Sequence, residues 1–174
     1  MMRPLLVATI FASASVVVPH AQEISQEYQI KAAYLYNFLK YVDWPKPINR
    51  TFLICVAGQN PFGSVLDGLT SNERVRGNPV KTEIILGFEP GCDVIFTPRT
   101  SNIPAYLQGA AGMPILTVGE TPRFIEQGGI VNFVLENGKV RFEINRNAAE
   151  RAGLRFSSRL LQLAKIVDPG AEER

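Results

Sequence analysis

Between residues 24 and 42 apolar side chains return every three or four positions. Ile24, Tyr28, Ala32, Leu35, Leu39 and Val42 form one seam, and Ile30, Tyr34, Phe38 and Tyr41 a second beside it. That period predicts a helix with a broad apolar face. Gln26, Gln29, Lys31, Asn37 and Lys40 form its only polar edge. Ser25 suits a cap, Glu27 suits the positive end of the helix dipole, and Pro45 and Pro47 stop the helix after Trp44.

Beyond the prolines the pattern shortens. Residues 51–56, 94–96 and 115–118 are apolar runs of strand length, and residues 80–86 alternate in part, as an edge strand would. Residues 62–69 and 103–108 read as short helices, residues 58–63 as a turn, and the polar stretch 72–78 as an exposed loop. Thr121-Pro122-Arg123 has the cap-then-proline order of a helix start, with Gly128-Gly129 as its stop. Residues 130–135 and 140–144 flank Asn137-Gly138, a strong hairpin signal. Asn145 suits the cap of a helix through Ala152, and Ser157 or Ser158 that of a last helix over 159–167. Helices alternating with strands, followed by a hairpin, predict an α/β fold. Its sheet is mixed and mostly parallel, flanked by helices on both faces, with a C-terminal antiparallel hairpin.

The N-terminus changes the compartment. Arg3 is followed by residues 5–18 without a charge, too short a run to span a bilayer, and Pro19-His20-Ala21 ends it. Residues 1–21 therefore read as a secretory signal, residues 22–168 as one domain and residues 169–174 as a flexible tail. With the signal go Arg3 and His20, the only histidine, leaving 17 basic against 16 acidic residues. The mature charge is +1 without a basic stripe, so nucleic acid is not the expected partner.

Two cysteines, Cys55 and Cys92, remain in an oxidising compartment, which favours a disulfide over two buried thiols. A zinc site wants four ligands, usually Cys and His, so neither metal nor other cofactor is expected. Without histidine there is no Ser-His-Asp or Cys-His arrangement, no G-x-S-x-G elbow is present, and no catalytic residue is predicted. Gly58-Gln-Asn-Pro-Phe-Gly63-Ser64 follows a strand and opens a helix as a phosphate loop does, but Ser64 stands where that loop needs lysine. It reads as a strand-to-helix turn. Asn49-Arg50-Thr51 has the form of a glycosylation site, discounted in a chain of bacterial type. Among the aromatic side chains of the first helix most should face the core, and Tyr34, Tyr41 and Trp44 are candidates for an interaction surface.

The segment Lys31-Ala-Ala-Tyr-Leu-Tyr-Asn-Phe-Leu-Lys-Tyr-Val-Asp-Trp-Pro45 resembles the opening signature of the YfiR family. Ile54-Cys-Val-Ala-Gly-Gln-Asn-Pro-Phe-Gly63, Cys92 before Val94-Ile-Phe96, Pro114-Ile-Leu-Thr-Val-Gly119 and Val140-Arg-Phe-Glu-Ile-Asn145 follow in the family's order, as does Ser157-Ser-Arg-Leu-Leu161. The resemblance implies a periplasmic, commonly dimeric inhibitor that holds a membrane diguanylate cyclase inactive through its periplasmic sensor domain, limiting cyclic di-GMP and biofilm. It also implies a disulfide between Cys55 and Cys92 that supports activity. Related domains precede sensor kinases, so a ligand-sensing module acting on another membrane partner is the alternative.

Overall fold

The computed structural model describes residues 25–45 and 49–169; the stretch expected to be a secretory signal, residues 1–21, and all but the first residue of the expected tail, 169–174, lie outside the described residues. The chain opens with α1 (Gln26–Tyr41) and then runs β1 (Val42–Asp43), β2 (Phe52–Ala57), α2 (Val65–Thr70), β3 (Arg74–Val75), β4 (Asn78–Ile85), β5 (Val94–Thr97), α3 (Ile103–Ala110) and β6 (Leu116–Gly119). It closes with β7 (Val131–Glu136), β8 (Lys139–Asn145), α4 (Arg146–Arg151), β9 (Arg155–Phe156), α5 (Ser158–Leu161) and β10 (Lys165–Val167). Eight strands form one sheet in the order β10-β8-β7-β6-β5-β2-β4-β3, and β1 pairs with β9 in a separate antiparallel ribbon. Only β7–β8 and β3–β4 are antiparallel within the large sheet.

Alternation along the central strands sets the two faces. Phe52, Ile54 and Val56 of β2 enter the larger core with Val94, Phe96, Leu116 and Val118, beneath α1 and α2. Cys55, Ala57 and Ile95 point the other way, into a smaller core closed by Tyr106 and Ala110 of α3. Lys31, Ala32, Leu35, Tyr36, Phe38 and Leu39 are the buried side of α1. Sheet and α2 cover Ala32, Leu35, Leu39 and Val42 of the first apolar seam and Phe38 of the second, while Ile30 stays exposed and Tyr34 and Tyr41 are part-buried.

Asn137 and Gly138 adopt φ of 51° and 74°, as a two-residue turn with both central residues left-handed demands, and the hairpin forms as expected. Three expectations need correction. Residues 72–78 are not simply a loop: Arg76 and Gly77, also left-handed, close a small β3–β4 hairpin. The last helix ends at Leu161, and Lys165–Val167 instead pairs parallel to Glu143–Asn145, so the hairpin is not the sheet's edge. Residues 121–128 form successive turns rather than a helix, because Arg123 sits at φ 64° and breaks the run.

The reason for that break is packing. Phe124 is fully buried, and its ring occupies the space where Gly119 and Gly129 lack a side chain. A Cβ on Gly119 would lie 2.4 Å from the ring. Gly119→Ala is expected to cost about 2–3 kcal/mol as the ring is driven out of its slot; a urea midpoint equal to wild type would remove this account of the turn.

Candidate functional site

From β2 the chain crosses to β4 on one side, and β5 then lies on the other. The loops after β2 and β5 therefore diverge, leaving a crevice beyond the carboxyl ends of the parallel strands, where open α/β sheets bind ligands. Here the crevice holds about 520 Å³ and is bordered by Tyr28, Gln59, Asn60, Arg99, Thr100 and Glu120 among others. Asn60 fixes the first loop, accepting from the Phe62 N–H at 2.9 Å and donating to the Gly63 carbonyl at 3.0 Å. Ser101 ties the second by donating to the Ala57 carbonyl at 2.8 Å.

A buried charge cluster lies at the base of the crevice. Lys31, expected on a solvated edge, is 1% exposed, and its ammonium donates to Glu120 Oε2 at 2.6 Å and to Glu27 one helical turn earlier. The Tyr28 hydroxyl donates to Glu120 Oε1 at 3.0 Å, and the Arg99 backbone N–H reaches the same oxygen at 3.3 Å. Burial, with the charge of Glu120 next, pushes the Tyr28 hydroxyl up to about 12, so at neutral pH it stays a donor. The Lys31 ammonium also lies 4.8 Å from the centre of the Tyr28 ring. Burying charge is costly unless paired and hydrogen-bonded, and each oxygen of Glu120 is served here.

The sequence-predicted residues fall elsewhere. Cys55 and Cys92 form a disulfide, 5.9 Å between Cα atoms, inside the smaller core beneath α3. Tyr34 is half-buried, its ring against Phe38, Phe133 and Phe142. Tyr41 lies two turns further along the same side of α1, with Arg159 over its ring, and Trp44 packs edge-on to Phe52. All three keep part of their surface in solvent but lie apart from the crevice residues. Arg50, the middle of the discounted sequon, clamps Asp93 with both guanidinium nitrogens, at 2.8 and 2.9 Å.

The molecule is thus an α/β domain with a strand-end crevice over a buried ion cluster, and no helix among the described residues is long and apolar enough to cross a membrane. It belongs to the YfiR/HmsC-like family, whose model matches residues 28–165. That is a periplasmic, regulatory family rather than a catalytic one. No curated protein matches. Among solved structures the chain is similar to a conserved domain protein from Vibrio cholerae O1 biovar El Tor, at 14% identity and a TM-score of 0.55, covering 80% of this chain and 59% of that one. It is also similar to an ABC domain in complex with L-Trp from Streptococcus pneumoniae, at 12% identity and a TM-score of 0.51, covering 81% and 60%. The chain spans about three fifths of each, and the likeness is one of fold.

Proposed function

We propose that this chain is an exported regulator that binds the periplasmic sensor domain of a membrane diguanylate cyclase and holds the cyclase inactive. Membership of the YfiR/HmsC-like family carries this reading. An inhibitor of this kind works by binding the partner's inactive arrangement more tightly than its active one, and a signal releases the partner by weakening that preference. The exposed edges of Tyr34, Tyr41 and Trp44 are the proposed contact surface, aromatic side chains being enriched where proteins meet. A homodimer and a redox input through Cys55–Cys92 belong to the same reading.

The test is cross-linking of a tagged full chain in intact cells of the native host. Capture of a transmembrane diguanylate cyclase, with cyclic di-GMP rising on deletion of the regulator, is the expected result. Capture of a sensor kinase in its place, with cyclic di-GMP unchanged, would remove the cyclase from the proposal.

A second reading rests on the crevice: a module that senses a small ligand at its strand ends and passes the change to a membrane partner. The position of the crevice favours it, beyond the carboxyl ends of the parallel strands where the loops after β2 and β5 diverge, with the polar side chains of Tyr28, Asn60 and Glu120 on its lining. A thermal-shift screen against amino acids, nucleotides and cofactors tests it, and no shift with any compound counts against it.

A further inference from the structure

A second cleft, of about 780 Å³, opens on the face of the sheet turned away from α1, and none of the residues lining it belongs to a helix. Its floor is a row across three strands. Asn132 of β7 lies opposite Glu143 of β8, which lies opposite Lys165 of β10. Val131, Phe133, Phe142 and Ile144 point into the larger core, so Asn132 and Glu143 between them point into the cleft. One wall is the turn carrying Phe124, held by its glycine slot and by the Asn145 amide, which donates to the Ile125 carbonyl at 3.2 Å. The other is Val167 to Pro169.

Two oxygens in this lining have no partner among the described residues. Asn132 is 4% exposed, and its buried Oδ1 accepts no hydrogen bond; Asp168 Oδ1 is likewise buried and unserved. The neighbouring charges are taken: Lys165 donates to Glu143 at 3.1 Å, and Arg123 to Glu126 at 2.6 Å. Glu143 keeps Lys165 protonated, raising its pKa through the hydrogen bond. Three carboxylates therefore face two cations, and Asp168 is the charge left over. A buried acceptor without a donor is costly, and most such groups in native proteins are satisfied. No group of three acidic, Cys or His side chains that could hold a metal ion occurs among the described residues. A partner that brings its own N–H donors would serve both oxygens, while Ile166, Val167 and Pro169, each with part of its surface open, offer an apolar surface to its body. The volume suits a small molecule.

We propose that this cleft binds a small organic cation bearing N–H donors, a primary amine or guanidinium compound, with Asp168 as countercharge and Asn132 as orienting acceptor. The experiment is calorimetric titration of the full chain with 1,4-diaminobutane, and with succinate as an anionic control of the same length. Saturable binding of the diamine alone is expected, weakened by about tenfold or more in Asn132→Leu and in Asp168→Asn. Unliganded Asn132→Leu should melt a few degrees above wild type, because it removes an unserved buried amide. Saturation by succinate, no binding of the diamine, equal diamine affinity in wild type and both variants, or a lower melting point for Asn132→Leu would each overturn the proposal.

Discussion

Lys31→Met is expected to destabilise the folded chain by about 3–5 kcal/mol, lowering the melting temperature by about 10 °C. Among the described residues Lys31 is the one positively charged side chain paired with Glu120, whose side chain is 1% exposed. Without the ammonium, the carboxylate keeps only the Tyr28 hydroxyl and the Arg99 N–H, neither of which carries a charge to offset it. Glu27 is more than a quarter exposed and can turn to water, so it contributes little to the loss. The decisive comparison is the double variant Lys31→Met, Glu120→Leu. Replacing both members of a buried pair by apolar groups is often neutral or better, so the double variant should recover most of the stability lost. Urea unfolding of the two variants measures this. A single variant as stable as wild type, or a double variant no better than the single, would mean the pair does not hold the crevice base together. Recovered stability without recovered repression would separate the pair's role in the crevice from its role in folding.

That pair also shows where sequence reading stops. The period of α1 is visible at once, yet Lys31 looks like part of a solvated edge because its partner is 89 residues away, at the end of β6. Nothing local marks Glu120. Local chemistry succeeds where it determines the backbone by itself. Asn137-Gly138 requires left-handed residues wherever it lies, and Asn145 and Ser157 cap their helices by accepting from the N–H three residues on. It fails where tertiary packing overrides it. Thr121-Pro122-Arg123 is a sound helix start, but burying Phe124 in the Gly119–Gly129 slot is worth more than one helical turn. Residues 159–167 carry a helical stripe, but β8 offers an open edge, and Ile166 and Val167 are β-branched and pair with it. The polar row Asn132, Glu143 and Lys165 was equally hidden, since its members become neighbours only through the register of three strands.

Converting Cys55 and Cys92 to alanine together is expected to cost up to about 4 kcal/mol, the chain-entropy value for a closed loop of this size. The bond joins residues 37 apart, fastening the middle of β2 to the approach of β5 beneath α3. Both strands reach the crevice with the loops that follow them, so loosening this junction should raise the mobility of residues 58–63 and 98–101, seen as faster amide exchange there. The same burial limits how a redox signal can act. Cys55 is 0% and Cys92 2% exposed, so a thiol reductant reaches the sulfurs only when α3 lifts or the chain opens. Reduction of the folded protein should therefore be slow, and moderate urea should accelerate it steeply; thiol labelling over time measures both. Fast reduction without denaturant would place an opening of α3 in the native ensemble. If instead the alanine variant melts with wild type and represses as well, the disulfide has neither the structural nor the regulatory role assigned to it.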